Sequence, residues 1–184
     1  MAVLNDQVMP VSNNYKPGGE MQGLSFNQLE SSYLPELLRL NNREVPHVNE
    51  LDLNTLSFLC NEAAFVEVCT DEYAISGLIM GFVTGADNHG FNFNWFCERY
   101  TNFLYIDRIF VSPIYKGQGI GRELYQRAEA FCRDNGIESL CCEVNQEPPN
   151  PASHQFHLNC GFEAVELVLH PEGKTVQMYR KIIA

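Results

Sequence analysis

A glycine-rich segment in the second half of the chain carries the clearest chemical signal. Three glycines lie within residues 117–121, after an apolar stretch that ends at Val111 and directly before an amphipathic stretch. Glycine lacks a Cβ, so its backbone can approach an anion closely, and the free N–H groups of a first helical turn then point toward that anion. Lys116 and Arg122 flank the glycines and add positive charge. The pattern therefore predicts a site for a diphosphate group.

The glycines alone leave other interpretations open. A tight turn between a strand and a helix uses the same residues without any ligand. A nucleotide P-loop requires G-x-x-x-x-G-K-[ST], and the chain has no such motif. A Rossmann fingerprint requires G-x-G-x-x-G and an acidic residue at the end of the next strand, and the spacing in residues 117–121 differs from it. Two nucleotide-binding classes are excluded, but the choice between a plain turn and a diphosphate site stays open.

Two carboxylates in predicted strands are candidates for proton transfer. A period of two in residues 140–145 places Glu143 and Asn145 on the same face of a strand. Asp107 lies in the preceding strand, where its neighbour Arg108 invites an ion pair. For both carboxylates, an ordinary solvated or ion-paired role is the alternative.

His157 lies in a predicted helix, and imidazole, with a reference pKa near 6.5, can donate a proton at neutral pH. A histidine in a helix is also often a hydrogen-bonded structural group. His154 and His157 could be two metal ligands, but the spacing offers no third. The seven cysteines have no C-x-x-C spacing and several lie in apolar stretches. We therefore expect reduced, structural thiols and no metal.

A strand–loop–helix–strand unit must position these candidates. Apolar residues recur at helical spacing from Ile120 to Phe131, and Asn135-Gly136 is a typical helix end. The predicted elements of this half are strand 103–111, helix 120–133, strand 140–145, helix 153–158 and two closing strands, 164–169 and 176–182.

The first half contributes a tail and further elements of the same domain. Residues 1–20 contain prolines, glycines and asparagines without periodicity, which predicts an extended tail before a single domain at 21–184. An aromatic loop at 89–102 contains Trp95, a candidate wall of a substrate site, although packing on the core is the alternative. The other predicted elements are a weak strand at 21–29, a helix at 34–41, a helix capped by Asp52, and strands 64–70 and 73–84 joined by a tight turn.

Composition restricts the partners. The formal net charge of −11 makes nucleic acids and anionic membranes unfavourable partners and suits a cationic substrate. The chain has no apolar run of about 20 residues, and its N-terminus lacks the basic and apolar regions of a secretory signal. We expect a cytoplasmic protein.

Two motifs at a fitting separation carry a family resemblance. Residues 111–121 match a strand ending in V-x-P-x-[YF] that is followed by Arg/Gln-x-x-Gly-x-Gly/Ala, with Lys116 where Arg or Gln is usual. Residues 150–162 match N-…-F-Y-x-x-x-G-F, with His157 at the tyrosine position. From about residue 105 onward the chain thus resembles the GNAT superfamily of acyl-coenzyme A-dependent N-acetyltransferases. The sequences Y-I-D-R at 105–108 and C-E-V-N-…-P-P-N-P-A-S at 142–153 are similar to a bacterial subgroup of that family.

The resemblance implies a fold and a co-substrate. The fold is α/β (α+β): a mixed, mostly antiparallel sheet of about six to seven strands, flanked by helices, with a splayed strand pair that holds acyl-coenzyme A. The diphosphate of acetyl-coenzyme A should lie on residues 116–122, and Asn150 should contact the pantetheine arm. The residues implied in coenzyme binding are Ile109, Phe110, Val111, Lys116, Gly117, Gln118, Gly119, Ile120, Gly121, Arg122 and Asn150.

The resemblance also implies direct acetyl transfer to a primary amine in a ternary complex. Glu143 aligns with the base of some family members, and Asp107 with a position that others use for substrate amines. His157 would be the general acid. The backbone N–H near Val111 would stabilise the oxyanion. Trp95, Asp107 and Asn145 are the candidate substrate-binding residues.

The acceptor and the assembly stay open at this point. Small polyamine-like molecules, amino acids, antibiotic amines and protein N-termini are all candidate acceptors. The departures at Lys116 and His157 favour a second hypothesis, a non-catalytic coenzyme A-binding or sensory module. A third is that the tail and the aromatic loop serve the assembly of a homodimer.

Overall fold

The computed structural model describes residues 23–45, 48–87 and 90–183. The strands are β1 (Ser25–Asn27), β2 (Phe65–Thr70), β3 (Ile75–Val83), β4 (Leu104–Val111), β5 (Ser139–Glu147), β6 (Glu163–Leu169) and β7 (Thr175–Ile182). The helices are α1 (Leu34–Arg43), α2 (Leu53–Glu62), α3 (Phe91–Cys97), α4 (Ile120–Asp134) and α5 (Pro151–Asn159). Short 3-10 turns at Ser31–Tyr33 and Pro113–Tyr115 precede α1 and follow β4.

All seven strands form one sheet, in the order β1-β2-β3-β4-β5-β7-β6. Neighbouring strands are antiparallel except for β4 and β5, which are parallel. The predicted mixed, mostly antiparallel sheet with flanking helices is therefore confirmed.

The parallel pair is splayed. Over the length of the two strands, β4 and β5 pair at Leu104–Leu140 and Tyr105–Cys141. Beyond that point β4 stays paired with β3 as far as Val111, and β5 stays paired with β7 as far as Glu147. A gap therefore opens in the middle of the sheet, between the C-terminal halves of β4 and β5.

Two apolar layers cover the faces of the sheet. One face packs against α1, α2 and α3 through buried residues such as Leu37, Leu56 and Phe96. The opposite face packs against α4 and α5 through residues such as Leu124 and Phe131. Burying one such side chain contributes about 1.5–3 kcal/mol, so both layers hold the two halves of the splayed pair in place.

Local sequence signals fix the ends of the helices that border the gap. Gly119 precedes α4 with a φ of +88°, a conformation that residues with a Cβ adopt at a cost. Asn150 precedes α5, and its Oδ1 accepts a hydrogen bond from the Ser153 N–H at 3.2 Å. Pro151 occupies the first helical position, where the missing N–H costs nothing.

Most predicted elements are present within one to three residues of their expected ends. The prediction of an aromatic loop at 89–102 is wrong, because this segment contains the helix α3. Phe93 and Phe96, three residues apart, both face the core, and this packing stabilises a helix of only seven residues. The connection from β2 to β3 comprises residues 71–74 and is therefore longer than the expected two-residue turn. The Asp71 carboxylate accepts hydrogen bonds from the N–H groups of Tyr73 and Ala74 and stabilises this turn.

The predicted tail lies outside the described residues, so the division into a tail at 1–20 and one domain at 21–184 stays a prediction. All seven cysteines carry free thiols. None of the helices in the described ranges has the length and apolar character needed to cross a membrane.

Candidate active site

A cleft of about 690 Å³ occupies the gap between β4 and β5. Its walls come from both sides of the sheet. On one side they include the segment before α4 and the start of α5; on the other they include Glu44, Phe91, Asn92 and Lys174. The cleft thus runs through the sheet and connects its two faces.

The glycine segment forms one end of this cleft. Gly117 and Gly119 have φ values of +82° and +88° and turn the chain into α4. The first main-chain bond within α4 runs from the Glu123 N–H to the Gly119 carbonyl at 3.0 Å. The preceding amides belong to the open first turn of the helix, where N–H groups and the helix dipole favour an anion.

Gly121 has a packing role as well. A Cβ at this position would lie 3.0 Å from the Phe156 ring, which is too close for an ordinary contact. Gly121 therefore lets the start of α4 approach α5 and narrows the cleft between them. Lys116 and Arg122 also line the cleft; the Lys116 ammonium is 3.8 Å from a Glu44 carboxylate oxygen, and its side chain is 59 % exposed.

Ten of the eleven residues predicted to bind the coenzyme line the cleft; Gln118 is the one that does not. The Gln118 side chain is exposed, and its Nε2 is directed to the Ile114 carbonyl at 3.4 Å.

Glu143 lies half-buried in the middle of the cleft. The Tyr105 hydroxyl donates a hydrogen bond to its Oε2 at 2.8 Å. The pKa of Glu143 is raised to about 7, mainly because the carboxyl group is buried. The negative charge of Asp107 also raises this pKa, whereas the hydrogen bonds from Tyr105 and Asn92 lower it. A carboxyl group with this pKa can take up and release a proton near neutral pH.

Tyr105 was not singled out as a site residue, although the strand period could have found it. It pairs with Cys141, two residues before Glu143, so both side chains lie on the same face of the sheet. Burial and the neighbouring carboxylates raise the pKa of Tyr105 well above its usual value. The phenol therefore keeps its proton and acts as a donor to Glu143.

Asp107 lines the cleft but is tied into an ion pair. The Arg108 Nε donates to Asp107 Oδ2 at 2.6 Å, and the Arg108 guanidinium also contacts Asn41 Oδ1 at 2.6 Å. The side chain of Arg108 is 7 % exposed and that of Asp107 16 %. Asp107 is therefore ion-paired with Arg108, and its part in catalysis or substrate binding stays a prediction.

His157 is buried, and its hydrogen bonds define its tautomer. Nδ1 is 2.7 Å from the Ser153 carbonyl oxygen, which can only accept, so Nδ1 carries the hydrogen. Nε2 is 2.8 Å from the Tyr125 hydroxyl and accepts its hydrogen. Burial lowers the pKa of His157, so the ring is neutral at pH 7. The N–H of His157 thus points to a main-chain carbonyl, and its part as the general acid stays a prediction.

The predicted substrate residues divide into two groups. Asn145 and Asp107 line the cleft, whereas Trp95 does not. Trp95 is 7 % exposed and packs in the core beside Phe96, with its ring 3.9 Å from the Arg99 guanidinium carbon. The position of Trp95 fits the alternative of packing on the core, whereas Phe91, earlier in α3, lines the cleft.

Asn92 is a site residue that the sequence analysis missed. Its side chain lies next to Glu143 in the cleft, and its Oδ1 is buried without a hydrogen-bond partner among the residues that the structure describes. A buried acceptor without a donor costs about 1–3 kcal/mol. Nothing in the sequence around Asn92 signals this position. Within the described ranges, no group of three His, Cys, Asp or Glu residues is placed to hold a metal ion.

Known proteins share this fold and part of this sequence. Residues 27–162 match the Acetyltransferase (GNAT) family. The chain is 32 % identical over 66 residues to the aminoglycoside N(6')-acetyltransferase type 1 of Stenotrophomonas maltophilia, a match that spans 36 % of the chain and 42 % of that relative.

Solved structures agree in fold. The ribosomal-protein-S18-alanine N-acetyltransferase from Escherichia coli superposes with a TM-score of 0.67 at 17 % identity, over 88 % of this chain and 94 % of that one. YncA from Salmonella typhimurium, solved with its cofactor acetyl-CoA, superposes with a TM-score of 0.65 at 15 % identity, over 88 % and 94 % of the two chains. At these identities the similarity is one of fold.

Proposed function

The chain belongs to the Acetyltransferase (GNAT) family, and from this we propose that it transfers the acetyl group of acetyl-coenzyme A directly to a primary amine within a ternary complex. Membership makes the protein an acetyl-coenzyme A-dependent acyltransferase. The observation that carries the rest of the proposal is the cleft through the sheet, which connects an anion-binding helix start on one face with a carboxylate of pKa about 7 in its middle.

Coenzyme binding follows from the glycine segment and the splayed strands. The diphosphate would accept hydrogen bonds from main-chain amides within residues 117–122, assisted by Lys116 and Arg122. The pantetheine arm would lie along Ile109, Phe110 and Val111, where β4 has parted from β5 and its edge can pair with an extended ligand. Capture by backbone amides explains how a chain of net charge −11 can bind an anionic co-substrate.

Glu143 is the proposed base. An alkyl ammonium has a reference pKa of about 10.4, so moving its proton to an ordinary glutamate costs about 8 kcal/mol, whereas moving it to a group of pKa about 7 costs about 5 kcal/mol. The amine loses its proton to Glu143, attacks the thioester carbon, and the resulting oxyanion is stabilised by a backbone N–H near Val111.

The part of the cleft around Glu143 favours a cationic amine as the acceptor. Asp107 is neutralised by Arg108, while the hydrogen bonds to Glu143 come from the uncharged donors Tyr105 and Asn92. An ammonium would therefore meet the negative charge of Glu143, which no cationic donor neutralises by a hydrogen bond among the described residues. Relatives act on different amines, as their names say: an aminoglycoside and the alanine of a ribosomal protein. With the acidic net charge, we propose a small cationic amine.

A thiol-release assay over a panel of amines tests the proposal. Wild-type protein is expected to release coenzyme A with small polyamines or aminoglycosides, and the Glu143→Gln variant should bind acetyl-coenzyme A with wild-type affinity but turn over slowly. Calorimetry with coenzyme A provides the second readout. Tight binding with no turnover on any amine would favour the non-catalytic binding module, and no binding at all would refute the proposal.

A further inference from the structure

The connection between β6 and β7 brings a cation into the cleft that the proposal above does not use. Residues 170–174 form a turn in which the His170 N–H donates a hydrogen bond to the Lys174 carbonyl at 2.8 Å. His170 and Lys174 both line the cleft, as Glu143 does. Burial raises the pKa of Glu143, and the Lys174 charge is among the effects that lower it. The cleft therefore holds a negative and a positive group that act on each other.

The carboxylate beside Lys174 is a weak partner for it. Lys174 Nζ is 3.7 Å from Glu172 Oε2, and the Glu172 side chain is 70 % exposed, whereas that of Lys174 is 23 % exposed. An ion pair with a solvated partner at this distance contributes little to stability. An ammonium group that is mostly shielded from water attracts an incoming anion more strongly than an exposed one does. Lys174 can therefore bind an anionic group that enters the cleft.

Two neutral side chains next to Lys174 also carry N–H donors. Lys174 Nζ donates to Asn49 Oδ1 at 3.3 Å, which leaves Asn49 Nδ2 as the donor of that amide. The Glu172 N–H donates to His170 Nδ1 at 3.2 Å, and burial lowers the pKa of His170, so the ring is neutral and Nε2 carries the hydrogen. Asn49 lines the cleft together with His170 and Lys174. This part of the wall therefore combines one cation with two neutral donors.

We propose that the acceptor carries a carboxylate beside its amino groups, that this carboxylate binds Lys174 with Asn49 and His170 next to it, and that the acceptor is a basic amino acid. The inference rests on the proposed acetyl transfer and names its substrate class. An amine with positive charges alone would be attracted by Glu143 and repelled by Lys174. A basic amino acid places one ammonium at Glu143 and its carboxylate at Lys174, and its second ammonium suits the net charge of −11.

The carboxylate takes no part in the bond changes. The amino group at Glu143 attacks the thioester and coenzyme A leaves, as in the proposed function, while the carboxylate keeps its charge at Lys174. Its contribution is to fix the acceptor in the cleft, so Lys174 determines specificity and is not a catalytic residue.

Two pairs of amines test the inference on the unmodified protein. L-Ornithine and putrescine share the same chain with two amino groups and differ by the carboxylate, and L-lysine and cadaverine form the same pair with one more carbon. Hydrogen bonds to charged groups are worth enough to favour the carboxylate-bearing member of each pair by about 10-fold to 100-fold in kcat/KM. Equal values within both pairs, or a preference for the diamines, would overturn the inference.

Lys174→Met removes the charge and keeps an unbranched side chain. This variant should lose about 10-fold to 100-fold in kcat/KM for L-ornithine, while that for putrescine stays the same or rises. Arg133→Met is the matched control, because Arg133 is 50 % exposed, pairs with Glu129 at 3.2 Å and does not line the cleft, yet its loss changes the net charge equally. If both variants lower the value for L-ornithine alike, the overall field and not Lys174 selects the acceptor, and the inference fails.

Calorimetry gives a readout that requires no turnover. With the protein saturated by coenzyme A, L-ornithine should bind about 10-fold to 100-fold more tightly than putrescine, and Lys174→Met should remove this difference without changing the Kd of coenzyme A. If amines are acetylated but the carboxylate makes no difference in kinetics or binding, only this inference fails. If coenzyme A does not bind, or binds while no amine is acetylated, the proposed function fails, and in the second case the calorimetric comparison still decides whether Lys174 selects a carboxylate.

Discussion

Replacing Glu143 by glutamine should make the protein more stable and less active at the same time. The carboxyl group has an ordinary pKa of 4.5 in the unfolded chain and about 7 in the folded one. Below pH 4.5 both states hold the proton, and between these values only the folded state holds it. The free energy of unfolding therefore falls as the pH rises from 4.5 to 7. Once the pH is above 7, the total decrease is about 3 kcal/mol.

Glutamine carries no charge, so the Glu143→Gln variant escapes this loss. Its amide can also donate to Asn92 Oδ1, which is buried without a partner among the described residues. At pH 8.5 the melting temperature should rise by about 6–12 °C over wild type, and at pH 4.5 the two proteins should melt nearly together. Thermal unfolding followed by circular dichroism at both pH values measures the difference.

Activity should change in the opposite direction. The kcat/KM of the wild type should rise with pH through an apparent pKa of about 7 and then level, whereas Glu143→Gln should lose this dependence and about 10²–10⁴-fold in kcat. Glu147→Gln, an exposed glutamate on the same strand, is the control and should alter neither property. A variant with no gain in stability at pH 8.5, or one that keeps full activity, would refute the buried-base argument.

Three further predictions concern binding and packing. Asn92→Ala should raise the KM for the amine about 10-fold and leave that for acetyl-coenzyme A unchanged, while Asn94→Ala, an exposed neighbour in α3, should change neither value in steady-state kinetics. Lys116→Ala should weaken coenzyme A binding about 3-fold to 10-fold in calorimetry, with a smaller loss at high salt. Trp95→Phe should lower the free energy of unfolding by about 1–2 kcal/mol in urea, and a change in amine KM would contradict its place in the core.

The coenzyme half of the site could be predicted because its signals are local. A strand, a glycine segment and a helix follow one another within 103–134, and the strand period already placed Glu143 and Asn145 together. The splay between β4 and β5 was implied by the family resemblance alone and not by the strand pattern, since it depends on how two strands separated by α4 diverge.

The acceptor half was harder to predict because its contacts join distant parts of the chain. Tyr105 and Glu143 are 38 positions apart, and their hydrogen bond depends on the pairing of β4 with β5. The pattern of α3 resembled an aromatic loop, and this hid both the burial of Trp95 and the position of Asn92. The expected cytoplasmic location and homodimer stay predictions.

Different segments of the chain line the two ends of the cleft, so the coenzyme and the amine of the proposed reaction would contact different segments. In the proposed function, residues 109–122 and 150–159 bind the coenzyme, whereas the cleft residues Glu44, Val48, Asn49, Phe91 and Asn92 come from the earlier part of the chain. Mutations in these earlier segments can retune which amine enters while the machinery for the thioester is inherited unchanged. Grafting them from a paralogue is therefore a direct route to a new acceptor.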